Sequence, residues 1–359
     1  MNTNTPLSIE AYTKEAVELL SELIRTPSIS REEQESATVI RKFLKEHQVK
    51  VHQSGNNVWA YNKTHHPEKP SLLLNSHHDT VKPNAGYTKD PFDSIEEKGK
   101  LFGLGSNDAG ASLVSLIMTF IHFYDKELPY NIVLAATAEE EISGKGGVSS
   151  ILPELGAFEF GLVGEPTQMK MAVAEKGLMV LDCYVEGVSG HAARDEGVNA
   201  IYQSLEIINW FKEFEFEKIS SHLGPIKMSV TVIDAGKQHN VVPDSCHFVV
   251  DVRTTDAYTN EEVIGEIRKQ VDCQVAPRSM RLTPSFLPDE LKIARVGERL
   301  GIEKFGSPTL SDQSLMNFPT FKMGPGDSKR SHTADEYIYL DEITEGIAGY
   351  IKLLEELFK

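Results

Sequence analysis

The sequence predicts an α/β protein with a mostly parallel central sheet, interrupted by a smaller inserted α+β unit. Two patterns carry that prediction. Helix-period segments and short apolar runs alternate through the first part of the chain and again after Pro284, as layered α/β structure requires. Between about Ala172 and Pro284 the order becomes strand, helix, two strands, helix and strand. A third observation locates the chemistry. Acidic and histidine residues stand where apolar runs end, and in open α/β sheets sites gather outside the carboxyl ends of the strands.

Taken in order, Ile9 to Ile24 carries Ala11, Ala16, Leu19, Leu20 and Leu23 at helical spacing, and Pro27 ends the pattern. A second helix is expected near Glu32 to His47, strands over Lys50 to Asn62 and Ser71 to Asn75, a buried helix over Ala109 to Tyr124, and a strand over Asn131 to Ala136. The insert reads as a strand at Leu178 to Glu186, a helix at Val198 to Phe214, strands at Ile226 to Asp234 and Cys246 to Arg253, a helix at Asn260 to Gln270 and a weaker strand at Cys273 to Pro277. That order is ferredoxin-like. The division expected is therefore residues 1–171 with 285–359 as the main domain and 172–284 as the insert. Because the candidate site residues fall almost wholly outside the insert, its expected task is to support, close or dimerise the protein.

The chain has 359 residues, enough for two ordinary domains, with 40% apolar and 25% charged residues and no apolar stretch of membrane-span length. A formal charge of −17 argues against nucleic acid or an anionic membrane as partner, since both would repel the protein at long range. Met1 to Pro6 shows neither a basic region nor an apolar core, so no secretory signal is expected and a cytoplasmic location follows. Cys183, Cys246 and Cys273 are odd in number and form no Cys-x-x-Cys pair, which fits reduced, buried thiols.

The chemistry lies in five short motifs. His77-His78-Asp79 follows Leu72-Leu73-Leu74; a histidine there can bind a cation through one ring nitrogen while Asp79 accepts the other ring N–H. His78, on the opposite side of an extended segment, reads as structural. Gly103-Leu104-Gly105-Ser106-Asn107-Asp108 enters an apolar helix, but it lacks the Walker Lys-Ser/Thr pair and its G-x-G-x-x-G frame fails at Asp108, so nucleotide binding is discounted. Asp108 is then either a helix N-cap or a carboxylate that bridges two cations. Glu139-Glu140-Glu141 closes the apolar run Ile132-Val133-Leu134, and adjacent carboxylates repel unless a cation or solvent relieves them. In an extended segment Glu139 and Glu140 face opposite sides, which allows one ligand and one base. Glu165 follows Phe160-Gly161-Leu162-Val163, and His332 follows the rigid Gly324-Pro325-Gly326-Asp327 turn. Each motif alone has a plainer reading as a loop or cap. Together His77, Asp108, Glu140, Glu165 and His332 suffice to hold two metal ions, which points to a hydrolase.

In this order, and with Gly190-His191, Asn240-Val241-Val242-Pro243 and Asp251-Val252-Arg253, the motifs resemble the M20 metallopeptidase family of acetylornithine deacetylases, succinyl-diaminopimelate desuccinylases, aminoacylases and carboxypeptidase-like enzymes. The resemblance spans nearly the whole chain. It implies a zinc-peptidase-like catalytic domain with an inserted dimerisation domain. His77 and Glu165 would bind one zinc ion, Glu140 and His332 the other, and Asp108 would bridge them. Glu139 would be the general base and Asp79 would orient His77. His191 would reach a neighbouring active site across a homodimer, while Arg253 and Asn240 would face the substrate. Cobalt or manganese would suit the same mixed nitrogen and oxygen donors.

The chain departs from the family pattern at Asp108-Ala109-Gly110-Ala111, where Asp-x-Lys-Gly is usual, and at Ala138, where an Asp commonly precedes the Glu pair. The expected substrate is a small N-acyl-L-amino acid, in the manner of the arginine-pathway deacylases: N-acetylornithine, N-acetylcitrulline or a succinyl counterpart. Asp327 suits a cationic side chain, whereas Lys329 and Arg330 either hold a carboxylated acyl group or form a solvated pair. A dipeptidase or aminopeptidase is the nearest rival, and a catalytically silent small-molecule binding protein the more distant one.

Overall fold

The computed structural model describes residues 8–359, so the reading of Met1 to Pro6 lies outside the described residues. The chain divides into two compact units. One runs up to Val173 and takes in Phe286–Phe305 and Ser311–Lys359; the other comprises Ala174–Ser285 and Gly306–Leu310.

The first unit is built on a sheet whose centre runs Asn57–Tyr61, Asn131–Thr137, Ser71–His77, Phe160–Val163 and Thr320–Lys322. Ser71–His77 lies parallel to both its neighbours, and Thr320–Lys322 lies parallel to Phe160–Val163. Asn57–Tyr61 joins Asn131–Thr137 antiparallel. Every residue of Asn131–Thr137 is buried, which explains why it reads as a continuous apolar run rather than an alternating one. On one face, the helices Ile9–Ile24, Ala111–Phe123 and Leu340–Phe358 share a core with Leu72, Leu74, Ile132 and Leu134. Val148–Leu155 covers the opposite face against Leu73, Val133 and Val163. Each of the four parallel strands of this centre thus ends its carboxyl side at a turn carrying an acidic or histidine residue.

Local chemistry accounts for three differences from the sequence expectation. The strand expected over Lys50 to Asn62 is a hairpin of Val51–Ser54 and Asn57–Tyr61, turned at Gly55, which adopts φ 55°. The buried helix starts at Ala111 because Asp108 (φ −116°, ψ 100°) and Ala109 have non-helical backbone. The strands Ile95–Glu97, Lys100–Phe102 and Tyr337–Tyr339, which form a separate sheet, were not expected. Segments so short carry too little periodicity to read.

The second unit is a four-stranded antiparallel sheet in the order Lys227–Ala235, Ser245–Thr254, Gly177–Glu186, Gln274–Pro277. Numbered along the chain, these strands run second, third, first, fourth, the arrangement its β-α-β-β-α-β order implies. Met179, Leu181 and Cys183 alternate inward and pack with Phe248, Val250 and Val252 beneath Ala200–Glu213 and Asn260–Gln270. Thr259 begins the latter helix with a capping box to Glu262. Cys183 and Cys246 are buried, as expected, and Cys273 is partly so. No helix of the described residues is long and apolar enough to cross a membrane.

Candidate metal centre

His77 is the last residue of its strand and is buried. Its Nδ1–H donates to the Asp79 carbonyl at 2.9 Å. A carbonyl only accepts, so that bond puts a proton on Nδ1 and turns Nε2 towards the cluster. Nε2 has no hydrogen-bond partner and lies 3.4 Å from Asp108 Oδ1, 3.9 Å from Glu140 Oε2 and 3.9 Å from Glu165 Oε1. Donors held about 2 Å from one tetrahedral ion lie roughly 3.3 Å apart, so the spacing fits a cation better than direct hydrogen bonds. Burial opposes a charge on His77, yet Glu140, Asp108 and Asp79 outweigh it and hold its pKa well above the ordinary value. A second proton and a cation are alternatives for the same Nε2 lone pair.

Asp108 faces both histidines. Its Oδ1 is 3.4 Å from His77 Nε2, and its Oδ2 is 3.6 Å from His332 Nε2. Two groups of ligand-type atoms therefore share it: His77, Asp108 and Glu165 form one, and Asp108, Glu141 and His332 the other. An orphaned buried imidazole nitrogen, a shared carboxylate and mixed nitrogen and oxygen donors fit two divalent cations.

Glycines allow this convergence. A Cβ on Gly164 would meet Leu116, Ser112 and Ser76, and one on Gly324 would meet Ser112, the Glu165 carbonyl and the Tyr350 hydroxyl. The turn bearing Glu165 and the glycine turn that precedes His332 thus press directly onto the buried helix. His332 itself has φ 60° and is the exposed member, its side chain 54% accessible. Asn84 Nδ2 donates to its carbonyl, and the neighbouring Asp335 carboxylate accepts from Thr88 and Lys89 N–H.

The acidic run departs from expectation by one residue. Glu141, rather than Glu140, lies with His332, 3.0 Å from its Nε2. That hydrogen bond first, with the Glu141 and Asp108 charges working against burial, raises His332 to about 9. Glu139, expected as the base, folds into the glycine loop instead, where its carboxylate accepts from Gly146 N–H at 3.0 Å and fills the space a Cβ on Gly144 or Gly146 would need. The expectation assumed an extended segment. Glu139 instead adopts φ 54°, and Glu140–Ile142 form a 3₁₀ turn, so strand alternation no longer governs these side chains.

Buried carboxylates from elsewhere impose that turn. Glu33 accepts from Glu139 N–H at 3.2 Å, and Asp79 accepts from Glu140 and Glu141 N–H at 3.0 and 3.2 Å. Asp79 also accepts from the Ser30 hydroxyl. Its carboxylate remains 3.4 Å from His77 Nδ1, so Asp79 fastens the acidic turn as well as flanking the histidine. Glu33 and Glu336, a further buried carboxylate that binds the Asp108 turn, are given no role by the sequence, because a carboxylate that accepts from distant backbone N–H groups leaves no spacing to read, even in the segment His332 to Glu336. Burial, then the Asp108 charge, pushes Glu336 up to about 8 against three backbone N–H bonds.

Glu140 belongs to neither ligand group, but its side chain is only 12% accessible. Burial, with Glu165, Asp312 and Glu141 adding and His77 opposing, holds its carboxyl well above the ordinary range. His78 is structural as expected: its Nε2–H donates to the Asn56 carbonyl, and Nδ1 lies 2.8 Å from Ser36 Oγ. Arg330 is taken up by a bidentate pair with Glu342, while Lys329 stays in an exposed turn.

The remaining expected residues lie in the second unit. His191 and Asn240 stand on adjacent exposed loops, bridged through His191 and Val241, with Ala192 N–H donating to the Asn240 carbonyl. Arg253 is held by Asp251 through Nε and Nη2 at 2.8 and 3.0 Å.

Known proteins are similar to this chain in sequence and in fold. The chain is 28% identical to a succinyl-diaminopimelate desuccinylase of Paracoccus denitrificans, over 79% of this chain and 82% of that protein. It is 26% identical to a probable carboxypeptidase of Paracoccidioides lutzii, over 91% and 82%. In fold it is similar to the aminopeptidase PepT of Bacillus cereus, with a TM-score of 0.77 at 19% identity over 97% of this chain and 99% of that one. A dinuclear metal-binding M20 peptidase of Bacillus subtilis matches with a TM-score of 0.72 at 16% identity, over 98% and 100%. Residues 73–356 match peptidase family M20/M25/M40. The chain belongs to that family and is a metal-dependent hydrolase.

Proposed function

We propose that the protein hydrolyses the amide bond of an N-acyl-L-amino acid, with N-acetyl or N-succinyl derivatives of ornithine or citrulline as the preferred class. The observation that carries the hydrolytic reading is Asp108 facing a histidine from each oxygen while Glu140, outside both ligand groups and only 12% accessible, lies 3.9 Å from His77 Nε2. In this reading His77 and Glu165 hold one cation, Glu141 and His332 the other, and Asp108 bridges. Zn²⁺ fits these donors, as do Co²⁺ and Mn²⁺. Bound cations would polarise the scissile carbonyl and lower the pKa of water.

Glu140 then takes over the base role expected of Glu139. Its raised pKa suits a group that accepts a proton from the attacking water and returns it to the departing amine. Glu139 occupies the position before the Glu140-Glu141 pair, so an acidic residue stands there after all and Ala138 is no departure. Asp79 keeps the base and ligand in register by accepting from their N–H groups, while Glu33 holds Glu139 N–H just before them. His191 would steady charge developing on the carbonyl oxygen, and Asn240 and Arg253 would contact the substrate, Arg253 keeping Nη1 beyond its pair with Asp251. We also infer a homodimer through the second unit. Support comes from its edge strand, which exposes Val232 and Ile233, and from the helix that exposes Tyr202 and Leu205.

The desuccinylase relative supports the deacylase reading, and the carboxypeptidase relative supports peptide cleavage as the second. Release of primary amine from N-acetylornithine, N-acetylcitrulline, N-succinylornithine, N-succinylcitrulline, N-succinyl-diaminopimelate and a set of dipeptides, before and after chelation, tests the choice. Metal-dependent cleavage of an acylated ornithine or citrulline is expected. Preference for dipeptides would replace the deacylase reading with the peptidase one.

A further inference from the structure

We propose that Glu336 is the positioning residue of the bridging carboxylate: it fixes Asp108 between the two histidines and so couples both cation positions. The inference rests on the two-cation reading above. Glu336 is 2% accessible and belongs to neither ligand group. Its Oε1 accepts from Asn107 N–H at 2.8 Å and Asp108 N–H at 2.9 Å, its Oε2 accepts from Gly105 N–H at 3.2 Å, and its carbonyl accepts from Gly103 N–H at 3.0 Å. One residue therefore holds the whole Gly103-x-Gly105-x-x-Asp108 turn.

The turn needs such an acceptor. Asp108 and Ala109 have non-helical dihedrals, so the amides of Gly105, Asn107 and Asp108 are not paired within a regular helix. Buried N–H groups without an acceptor destabilise the fold, and no side chain caps the turn locally. Glu336 satisfies three of them from a position 228 to 231 residues away. It also stands four residues after His332 and thus ties the bridging turn to the loop that carries the second histidine. Asn107 makes a parallel tie: its Oδ1 accepts from Asp327 N–H at 3.0 Å, and its Nδ2 donates to the Asp327 carbonyl at 3.1 Å. Because Asp108 serves both groups, displacing it weakens both, whereas changing Glu165 or Glu141 touches one.

The test compares the unmodified protein with Glu336→Ala, Glu336→Gln and Glu165→Ala. Zinc stoichiometry is read by native mass spectrometry, affinity by competition with a chelator, and coordination by the visible spectrum of the cobalt-loaded protein. Glu336→Ala should lose affinity about 10–100-fold at both positions together. Glu336→Gln keeps a carbonyl oxygen for Asn107 and Asp108 but loses the acceptor for Gly105 N–H, so it should weaken both positions together, less than alanine does, while Glu165→Ala should weaken one position. A residue that only stabilised the fold would lower Tm and leave the affinity of the folded protein unchanged. If Glu336→Ala does not fold, hydrogen exchange of residues 103–110 in Glu336→Gln replaces it, with faster exchange and weakened double binding expected. Undiminished double occupancy in the alanine variant, loss of one ion alone, or unchanged exchange and affinity in the glutamine variant would overturn the proposal. Fewer than two ions in the unmodified protein would instead remove the two-cation reading and this inference with it.

Discussion

The two units expose their functional candidates in opposite ways. Around Asp108 the side chains are largely buried, and other buried groups hold the backbone beneath them: Glu33 and Asp79 under the acidic turn, Glu336 under the bridging turn. On the second unit His191 and Asn240 are exposed loop residues, tied to one another through backbone, and Arg253 shares its charge with Asp251. Where the site is part of the core, chemistry and folding are coupled; where it stands on exposed loops, they separate. Substitutions should follow that division.

The largest effect is expected at Glu140. Glu140→Gln should lower kcat by about 10²–10⁴-fold with both cations retained, measured by turnover and metal content on one preparation. Glu139→Ala should leave most turnover intact. The opposite ranking would return the base role to Glu139 and break the structural reading of the acidic run. In the same unit, Leu116→Ala removes a fully buried side chain that packs against Gly164 and should cost about 2–5 kcal/mol by denaturant titration. It should also weaken the cation position that includes Glu165. A stability loss with unaltered metal affinity would show that core and site are less coupled than the packing implies.

In the second unit His191→Ala should lower kcat by roughly 10²-fold while Tm stays near that of the unmodified protein. A large fall in Tm would erase the contrast between the units. The smallest effect concerns Asp182, which Arg278 and then His247 hold down to about 2. A depressed carboxylate contributes stability above its ordinary value of 3.8, and that contribution disappears as pH falls from there towards 2. The Tm gap between the unmodified protein and Asp182→Asn should therefore close across that window. A gap independent of pH would assign Asp182 a packing role rather than an electrostatic one.

Much of this was legible in the chain. Apolar runs announced Ser71–His77, Asn131–Thr137 and Phe160–Val163, and the residues that follow them did converge, because strand burial is written locally. The ferredoxin-like order of the insert was equally readable from its alternation. Which member of Glu139-Glu140-Glu141 faces His332 was not. That depends on Glu33 and Asp79 accepting the run's N–H groups and on Gly144 and Gly146 leaving room for the Glu139 carboxylate. Nor could spacing reveal Glu336, whose partners lie 228 to 231 positions away. Strand and helix periods arise from neighbours along the chain and so mark where each ligand emerges. The direction a side chain takes from an irregular turn is decided by distant groups that satisfy its backbone, and only the folded chain brings those together.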